Sequence, residues 1–122
     1  MNGEPNKTGR RGLARLVAAT GYSWRGLSYA WRNEEAFRLE VIAAVVLVPL
    51  GCWLGQNGVE RALLAGSVLL ILVAELVNSA LEAVVDRIGI ERHKLSGAAK
   101  DTGSATVLVC LLIAALTWIL VL

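Results

Sequence analysis

The sequence predicts an all-α integral membrane protein with three transmembrane helices and an N-terminal amphipathic surface helix. Of the 122 residues 56% are hydrophobic, and the mean hydropathy is +0.59. A soluble domain of this length could not bury so much apolar surface. Three segments, at 36–54, 60–86 and 100–122, have the composition of membrane spans. We therefore expect one membrane domain over 1–122, with a polar leader at 1–12.

The region 13–35 has the pattern of a helix that lies on the membrane surface. Aromatic or apolar residues and arginines alternate there at helical spacing: Trp24, Arg25, Leu27, Trp31 and Arg32. Such a helix turns its aromatic side toward lipid and its basic side toward the headgroups. Gly21 interrupts the pattern, and Ser23 is a suitable N-cap. We therefore expect a break near Gly21 and a second helix from Trp24.

The first transmembrane segment, 36–54, is the least regular of the three. Pro49 can kink it. Gly51 and Gly55 have the GxxxG spacing that allows close contact between helices. Two glycines near the end of a helix are equally typical of a C-terminal stop.

The basic residues predict the orientation in the membrane. They are concentrated before the first span and between the second and third: Lys7, Arg10, Arg11, Arg15, Arg25, Arg32, Arg38, Arg87, Arg92, Lys94 and Lys100. Arg61, at the very start of the second span, is the only basic residue near the connection between the first and second spans. The positive-inside rule places the N-terminus and the 86–101 loop in the cytoplasm. The net charge of only +2 argues against a nucleic acid partner.

A polar stripe runs along the second span and consists of Glu75, Asn78, Ser79, Glu82 and Asp86. These positions fall within an arc of about 100° on a helix. If the helix enters the hydrocarbon near Ala62, Glu75 lies about 20 Å deep, roughly 10 Å from the cytoplasmic boundary. A charge at such depth costs about 2.5–3.5 kcal/mol and marks a functional candidate. An ion pair with another helix is the structural alternative, and it is strongest for Asp86.

Acids on both sides of a lipid boundary suit phosphoryl transfer from a water-soluble donor to a lipid hydroxyl. Glu75 would accept the hydroxyl proton, and the shallower acids would hold Mg²⁺. Lys100, followed by Asp101, could offset the charge of the transferred group, although a solvated loop end explains this pair equally well. The sequence contains no GxxxxGK[ST] or GxGxxG loop for phosphate binding.

Three stretches resemble the prokaryotic diacylglycerol kinase family: AATGYSWRGLSYAWRNEEAFRLE (18–40), AELVNSALEAVVDRIG (74–89) and HKLSGAAKDTGSA (93–105). The pattern E-x-x-N-S-x-x-E-x-x-x-D with a later K-D is specific in a membrane protein of this size. The resemblance implies a homotrimeric helical bundle in the bacterial cytoplasmic (inner) membrane. It also implies transfer of the γ-phosphoryl group of MgATP to diacylglycerol, which yields phosphatidic acid.

The resemblance also implies site residues. Glu75 matches the catalytic base, and Glu34 and Glu82 match the metal-binding acids. The positions that match ATP-binding residues are Arg15, Tyr22, Glu34, Glu82, Glu91, Arg92, His93, Lys100 and Asp101. The lipid substrate is expected at Arg15, Ser23, Trp24, Ser28, Trp31, Arg38, Trp53, Glu75, Ser104 and Trp118. Asn78 and Asp86 match supporting polar positions.

Some of these assignments have a simpler explanation. Arg92 stands where the family has tyrosine, so the nucleotide contact of that loop is expected to differ. His93 is the only histidine, and a lone imidazole in a charged loop is usually just solvated. Trp24 and Trp31 are also typical interface anchors. A shared role for Glu34 and Glu82 requires the surface helix to fold back over the second span.

Two other functions remain open on the sequence alone. An undecaprenol kinase would have a similar acidic stripe but a polyprenol substrate, although GYSWRGLSYAW favours the diacylglycerol branch. A small ion- or proton-conducting membrane oligomer would use Glu75 and Glu82 as a relay. Three thin helices could hardly enclose a lipid and a nucleotide alone, so we expect sites between subunits.

Overall fold

A computed structural model describes residues 8–89 and 93–122, which form four α-helices. These are α1 (Thr8–Asn33), α2 (Glu35–Leu54), α3 (Gly58–Ile88) and α4 (Lys94–Val121). The predicted all-α class is confirmed. Helices α2, α3 and α4 are each long and apolar enough to cross a membrane, which agrees with the three predicted spans.

Helix α1 is continuous, so the predicted break near Gly21 is wrong. Both Gly21 and Ser23 lie inside the helix, and Ser23 caps nothing. A glycine costs only about 1 kcal/mol in a helix interior. That cost is too small to end a helix in which the residues on both sides continue the helical pattern.

A sharp turn at Glu34 separates α1 from α2. Glu34 has extended backbone angles, φ −121° and ψ 107°, and is the N-cap residue of α2. Arg38 Nη1 donates hydrogen bonds to Trp31 O at 2.6 Å and to Arg32 O at 3.4 Å, which satisfies carbonyls at the C-terminal end of α1. Phe37 is buried in the corner. The Glu34 backbone is therefore held at the junction of the two helices.

Helix α3 is the centre of the bundle, because it packs against α2, α4 and part of α1. One cluster of small and medium side chains forms the α3–α4 core: Ile71, Ala74, Cys110 and Ala114, with Val107 packed against it. The outer faces of α2, α3 and α4 carry many large exposed apolar side chains. In a membrane these faces contact lipid or another subunit.

The helices also pack closely at what we call the turn end, formed by Gly51, Gly55, Arg61, Leu64 and Trp118. A Cβ placed on Gly51 would lie 2.9 Å from Leu64 Cβ and 3.3 Å from Trp118 Cζ2. Gly55 ends α2, and a Cβ there would lie 2.7 Å from Arg61 Cγ. Both explanations of the GxxxG spacing are therefore correct, one for each glycine.

Candidate active site

Four glutamates converge where the α1–α2 turn meets α3. We call this group, Glu34, Glu40, Glu75 and Glu82, the acidic cluster. Glu34 reaches Glu82 because the chain folds back at the α1–α2 turn, as their predicted shared role requires. All four belong to one chain, so a single copy of the chain is enough to bring these acids together.

The polar stripe of α3 points into the protein. Glu75, Asn78 and Ser79 are buried, with 5%, 7% and 3% of their surfaces exposed. Glu82 is half-buried and Asp86 is exposed. The stripe thus runs from the buried Glu75 to the exposed Asp86, in the order that its spacing predicts. We call the end of the bundle at Asp86 the open end.

The deepest acids of the cluster are Glu75 and Glu40, whose carboxyl groups are near neighbours. Within residues 12–89 and 93–122 neither of them forms a salt bridge. The described structure therefore does not support the alternative of an ion pair for Glu75.

The sequence interpretation missed Glu40. It is the only acidic residue in the segment 36–54, and a lone carboxyl group within a membrane span is itself a functional indication. The stripe of α3 is visible as a repeating pattern, whereas Glu40 is a single residue near the start of α2. Only the packing of α2 on α3 brings it to Glu75.

The shallower acids are Glu34 and Glu82. Partial burial raises the pKa of the Glu34 carboxyl group, and the neighbouring negative charges of Glu82 and Glu75 raise it further. The side chain of Ser79 lies alongside. This concentration of negative charge, with no cation in contact among the described side chains, favours binding of a cation.

Three polar atoms of the site are buried without a hydrogen-bond partner in the described part of the chain. They are Glu40 Oε1, Asn78 Oδ1 and Ser79 Oγ. Buried polar groups in native proteins are almost always paired. Asn78 is paired on its other side, where Nδ2 donates to Glu82 Oε2 at 3.5 Å. Glu40 Oε1 and Ser79 Oγ belong to residues beside or within the acidic cluster, where a bound ligand would supply partners, whereas Asn78 Oδ1 faces α4.

The donor set of the acidic cluster suits Mg²⁺. This ion usually takes one or two protein carboxylates and completes its octahedron with phosphate oxygens and water. Glu34 and Glu82 could supply those carboxylates. Among the described residues no group of three or more His, Cys, Asp or Glu side chains is arranged to hold a metal. Two carboxylates would leave the other coordination positions of Mg²⁺ to water or phosphate oxygens.

Lys100 lies at the open end of the stripe. Its Nζ forms a 2.8 Å ion pair with Asp86 Oδ1, which joins α4 to α3. Asp101 beside it is exposed. His93 is the N-cap of α4, and its Nδ1 accepts a hydrogen bond from Leu95 N at 3.0 Å. The predicted nucleotide contacts at Glu91 and Arg92 lie outside the described residues.

An apolar cleft of about 420 Å³ opens between α1 and α2. Its lining residues are Trp24, Leu27, Ser28, Trp31, Arg32, Phe37 and Val41. The cleft thus brings together three of the predicted lipid-contacting residues, Trp24, Ser28 and Trp31. An apolar wall with one hydroxyl group and a rim arginine suits an acyl chain below a polar headgroup.

Other predicted contacts on α1 and α4 lie outside the cleft. Arg15, Tyr22 and Ser23 are exposed on α1, and Ser104 is exposed on α4. The Arg25 guanidinium stacks over the Tyr22 ring at 5.0 Å from its centroid. Arg38 uses its guanidinium to cap α1.

Two predicted lipid contacts lie far from the acidic cluster. Trp118 Nε1 donates to Leu64 O at 3.1 Å at the turn end. Leu64 precedes Glu75 by 11 positions, which is about 16 Å along a helix. Trp53 is near the same end and is 79% exposed. The structure gives Trp118 a packing role and leaves Trp53 on the surface.

Comparisons with known proteins show the family to which the chain belongs. The prokaryotic diacylglycerol kinase family matches residues 21–122. The chain is 51% identical over 111 residues to the diacylglycerol kinase of Escherichia coli (strain K12), covering 91% of each protein. It is 51% identical to that of Haemophilus influenzae over 107 residues, or 88% of this chain and 91% of the relative. It is 48% identical to that of Pseudomonas aeruginosa over 118 residues, or 97% and 95%. This multi-pass membrane chain belongs to the prokaryotic diacylglycerol kinase family.

Proposed function

We propose that this protein phosphorylates diacylglycerol at the cytoplasmic face of the bacterial inner membrane, with MgATP as the donor and phosphatidic acid as the product. The observation that carries the proposal is the buried Glu75 carboxyl group at the deep end of a polar stripe. That stripe leads to Glu82 and Asp86 at the open end, and an apolar cleft lies on the neighbouring α1–α2 turn.

In the proposed reaction Glu75 acts as the general base. The free hydroxyl oxygen of diacylglycerol attacks the γ-phosphorus of ATP as its proton passes to the Glu75 carboxylate. The bond from the γ-phosphorus to the β–γ bridging oxygen breaks, and ADP leaves. Glu40 lies beside Glu75, so it is placed to hold the base in position.

The charges at the open end would bind the nucleotide. When bound, Mg²⁺ offsets the negative charge of the phosphate groups. Glu34 and Glu82 are the residues that would hold it, because their carboxyl groups adjoin each other. Lys100, fixed by Asp86 at 2.8 Å, would contact the phosphates. We also assign Arg15, Tyr22, Glu91, Arg92, His93 and Asp101 to nucleotide binding.

The α1–α2 cleft would receive the lipid. Trp24 and Trp31 form apolar walls and also suit anchoring at the membrane interface. Ser28 and Arg32 provide polar groups for the glycerol or headgroup region. Ser23, Arg38, Trp53, Ser104 and Trp118 remain further proposed lipid contacts.

We further propose a homotrimer with the N-terminus in the cytoplasm. The exposed apolar faces of α2, α3 and α4 are available for contact with lipid or with neighbouring protomers. Neighbouring protomers would complete the walls around the lipid and nucleotide. The acids themselves come from one chain, so mixed trimers of inactive Glu34→Ala and inactive Glu75→Ala protomers should recover no activity. Recovery would show that the acids act between protomers.

A coupled ADP-release assay in detergent micelles tests the function. Parallel micelles would contain diacylglycerol or undecaprenol, with and without Mg²⁺. We expect Mg²⁺-dependent ADP release with diacylglycerol only. Turnover with undecaprenol alone would assign the chain to the polyprenol kinases. No turnover with either lipid, together with proton flux across liposomes without nucleotide, would establish the conducting oligomer instead.

A further inference from the structure

We infer that Gly103 is a positioning residue that fixes the orientation of the Asn78 amide, so that the amide nitrogen faces the Glu82 carboxylate. The inference deepens the proposed function and rests on it, because Glu82 matters there as an Mg²⁺ ligand. Gly103 lies on α4, outside the acidic stripe of α3.

The contact between α3 and α4 leaves no room for a side chain at position 103. Gly103 is buried. A Cβ built there would overlap Asn78 Oδ1, and it would lie 3.3 Å from Asn78 Cγ and 3.5 Å from Leu81 Cδ1. Gly97 on the same helix is different, because a Cβ there would meet nothing within 4 Å. The requirement for glycine is therefore local to the Asn78 contact.

The two ends of the Asn78 amide have different surroundings. Oδ1 is buried, has no hydrogen-bond partner among the described residues and faces the Cα of Gly103. Nδ2 donates to Glu82 Oε2 at 3.5 Å. An amide is planar, with its oxygen and nitrogen on opposite sides, so the position of one fixes the other. A Cα–H group is a weak donor to an amide oxygen, and hence Gly103 favours this orientation over the flipped one.

The orientation of Asn78 affects how Glu82 can bind a cation. A hydrogen bond from Nδ2 fixes one carboxylate oxygen and leaves the other available toward Glu34. Residues that orient metal-binding side chains commonly change metal affinity by about 10- to 100-fold when they are replaced. A methyl group at position 103 would displace the amide, and Glu82 would lose this support.

Titration of Mn²⁺ binding by EPR, with a non-hydrolysable ATP analogue present, tests the inference on the full chain in micelles. Gly103→Ala should weaken Mn²⁺ binding roughly tenfold. Gly97→Ala adds the same methyl group to α4 in open space and should bind as the wild type does. In an Asn78→Ala background, adding Gly103→Ala should change nothing, because the displaced amide is already absent.

Two results in this titration would overturn the inference: wild-type Mn²⁺ affinity in Gly103→Ala, or an equal further loss when it is added to Asn78→Ala. If Gly103→Ala alone does not fold, the double variant decides. If the double variant folds and binds Mn²⁺ as Asn78→Ala does, the result supports the contact between Gly103 and Asn78. If the double variant does not fold, the inference is overturned. An absence of Mn²⁺ binding in the wild type would also overturn it.

Lipid phosphorylation measured on the same samples keeps the two proposals separate. A wild-type chain that binds Mn²⁺ but does not phosphorylate diacylglycerol would contradict the proposed function. The dependence of Mn²⁺ binding on Gly103 and Asn78 would still decide whether Gly103 positions the amide.

Discussion

The two ends of the helix bundle differ in whether their polar groups have hydrogen-bond partners. At the turn end the polar groups are paired: Trp118 Nε1 and Ser67 Oγ both donate to Leu64 O, at 3.1 and 3.0 Å, and Arg61 Nε donates to Gly55 O at 3.2 Å. Around the acidic cluster, Glu40 Oε1, Asn78 Oδ1 and Ser79 Oγ are buried and unpaired in the described structure.

This difference separates polar residues that stabilise the fold from those placed for a ligand. An unpaired buried polar group costs about 1–3 kcal/mol, so a protein retains several of them together only where something else is gained. The turn end has optimised packing and hydrogen bonds. Around the acidic cluster single polar atoms, Glu40 Oε1 and Ser79 Oγ, stay unpaired among the described residues, which is the pattern expected of a site that a substrate and a metal ion complete.

Replacing Glu75 should give the largest effect. We expect Glu75→Gln to lower kcat by about 10²- to 10⁴-fold, because the amide cannot accept the hydroxyl proton. Glu60→Gln is the matched control at the other end of α3, where Glu60 Oε1 accepts Gln56 N at 3.0 Å and a glutamine oxygen can do the same. Coupled ADP release measures both variants. Normal turnover in Glu75→Gln would refute the view that the acidic cluster serves the ligand while the turn end serves stability.

Removing a proposed metal ligand should come next. Glu34→Gln should raise the KM for Mg²⁺ by at least the roughly 10- to 100-fold found when supporting residues of metal sites are lost. Glu35→Gln alters the adjacent, exposed glutamate and should leave that KM unchanged. Initial rates over a range of Mg²⁺ concentrations distinguish the two. Equal responses would show that position 34 contributes only general surface charge.

At the turn end a substitution should affect stability and not chemistry. Gly51→Ala places a methyl group 2.9 Å from Leu64 Cβ, and such overpacking costs about 1–3 kcal/mol. Gly66→Ala, where a Cβ meets nothing within 4 Å, is the control. Unfolding in mixed micelles measures the loss. A changed KM for Mg²⁺ in folded Gly51→Ala would show that the two ends are coupled.

As the pH falls, Mg²⁺ binding at the acidic cluster should weaken before the turn end is affected. Protonation removes the Glu34 charge that would bind Mg²⁺, and because the pKa of Glu34 is raised, this begins nearer neutrality than for a free glutamate. The KM for Mg²⁺ should therefore rise as the pH falls, by at most about tenfold per pH unit for one proton. Saturating Mg²⁺ should suppress the effect, since metal binding favours the carboxylate. A pH profile unchanged in Glu34→Gln would contradict it.

The smallest effect is expected at Trp118. Trp118→Phe removes one hydrogen bond, to Leu64 O, while most of the ring packing remains. Hydrogen bonds between membrane helices are worth about 0.6 kcal/mol on average. The exposed Trp53→Phe should show no loss in the same unfolding measurement. A loss of several kcal/mol would mean that the turn end depends on this bond far more than on its packing.

The sequence-based predictions succeeded where a feature repeats along the chain. The polar stripe recurs at helical spacing, so its place on one side of α3 and the order of depth from Glu75 to Asp86 could be predicted. The break at Gly21 was wrong, because a local glycine was weighted above the continuing helical pattern. Glu40 was missed since a single acid has no periodicity. The roles of Arg38 as a cap of α1 and of Trp118 as a donor to Leu64 could not be predicted, because each depends on a backbone carbonyl whose location follows from the fold.

By itself the sequence determined the helical class, the three spans and the polar stripe of α3, because hydropathy and periodicity are properties of contiguous residues. The tertiary structure decided which distant residues meet. It brought Glu34 and Glu40 to the stripe through the turn at the start of α2, and Gly103 to Asn78 through the α3–α4 contact. Those meetings depend on how helices pack, and helix packing is set by side-chain shapes on several elements at once.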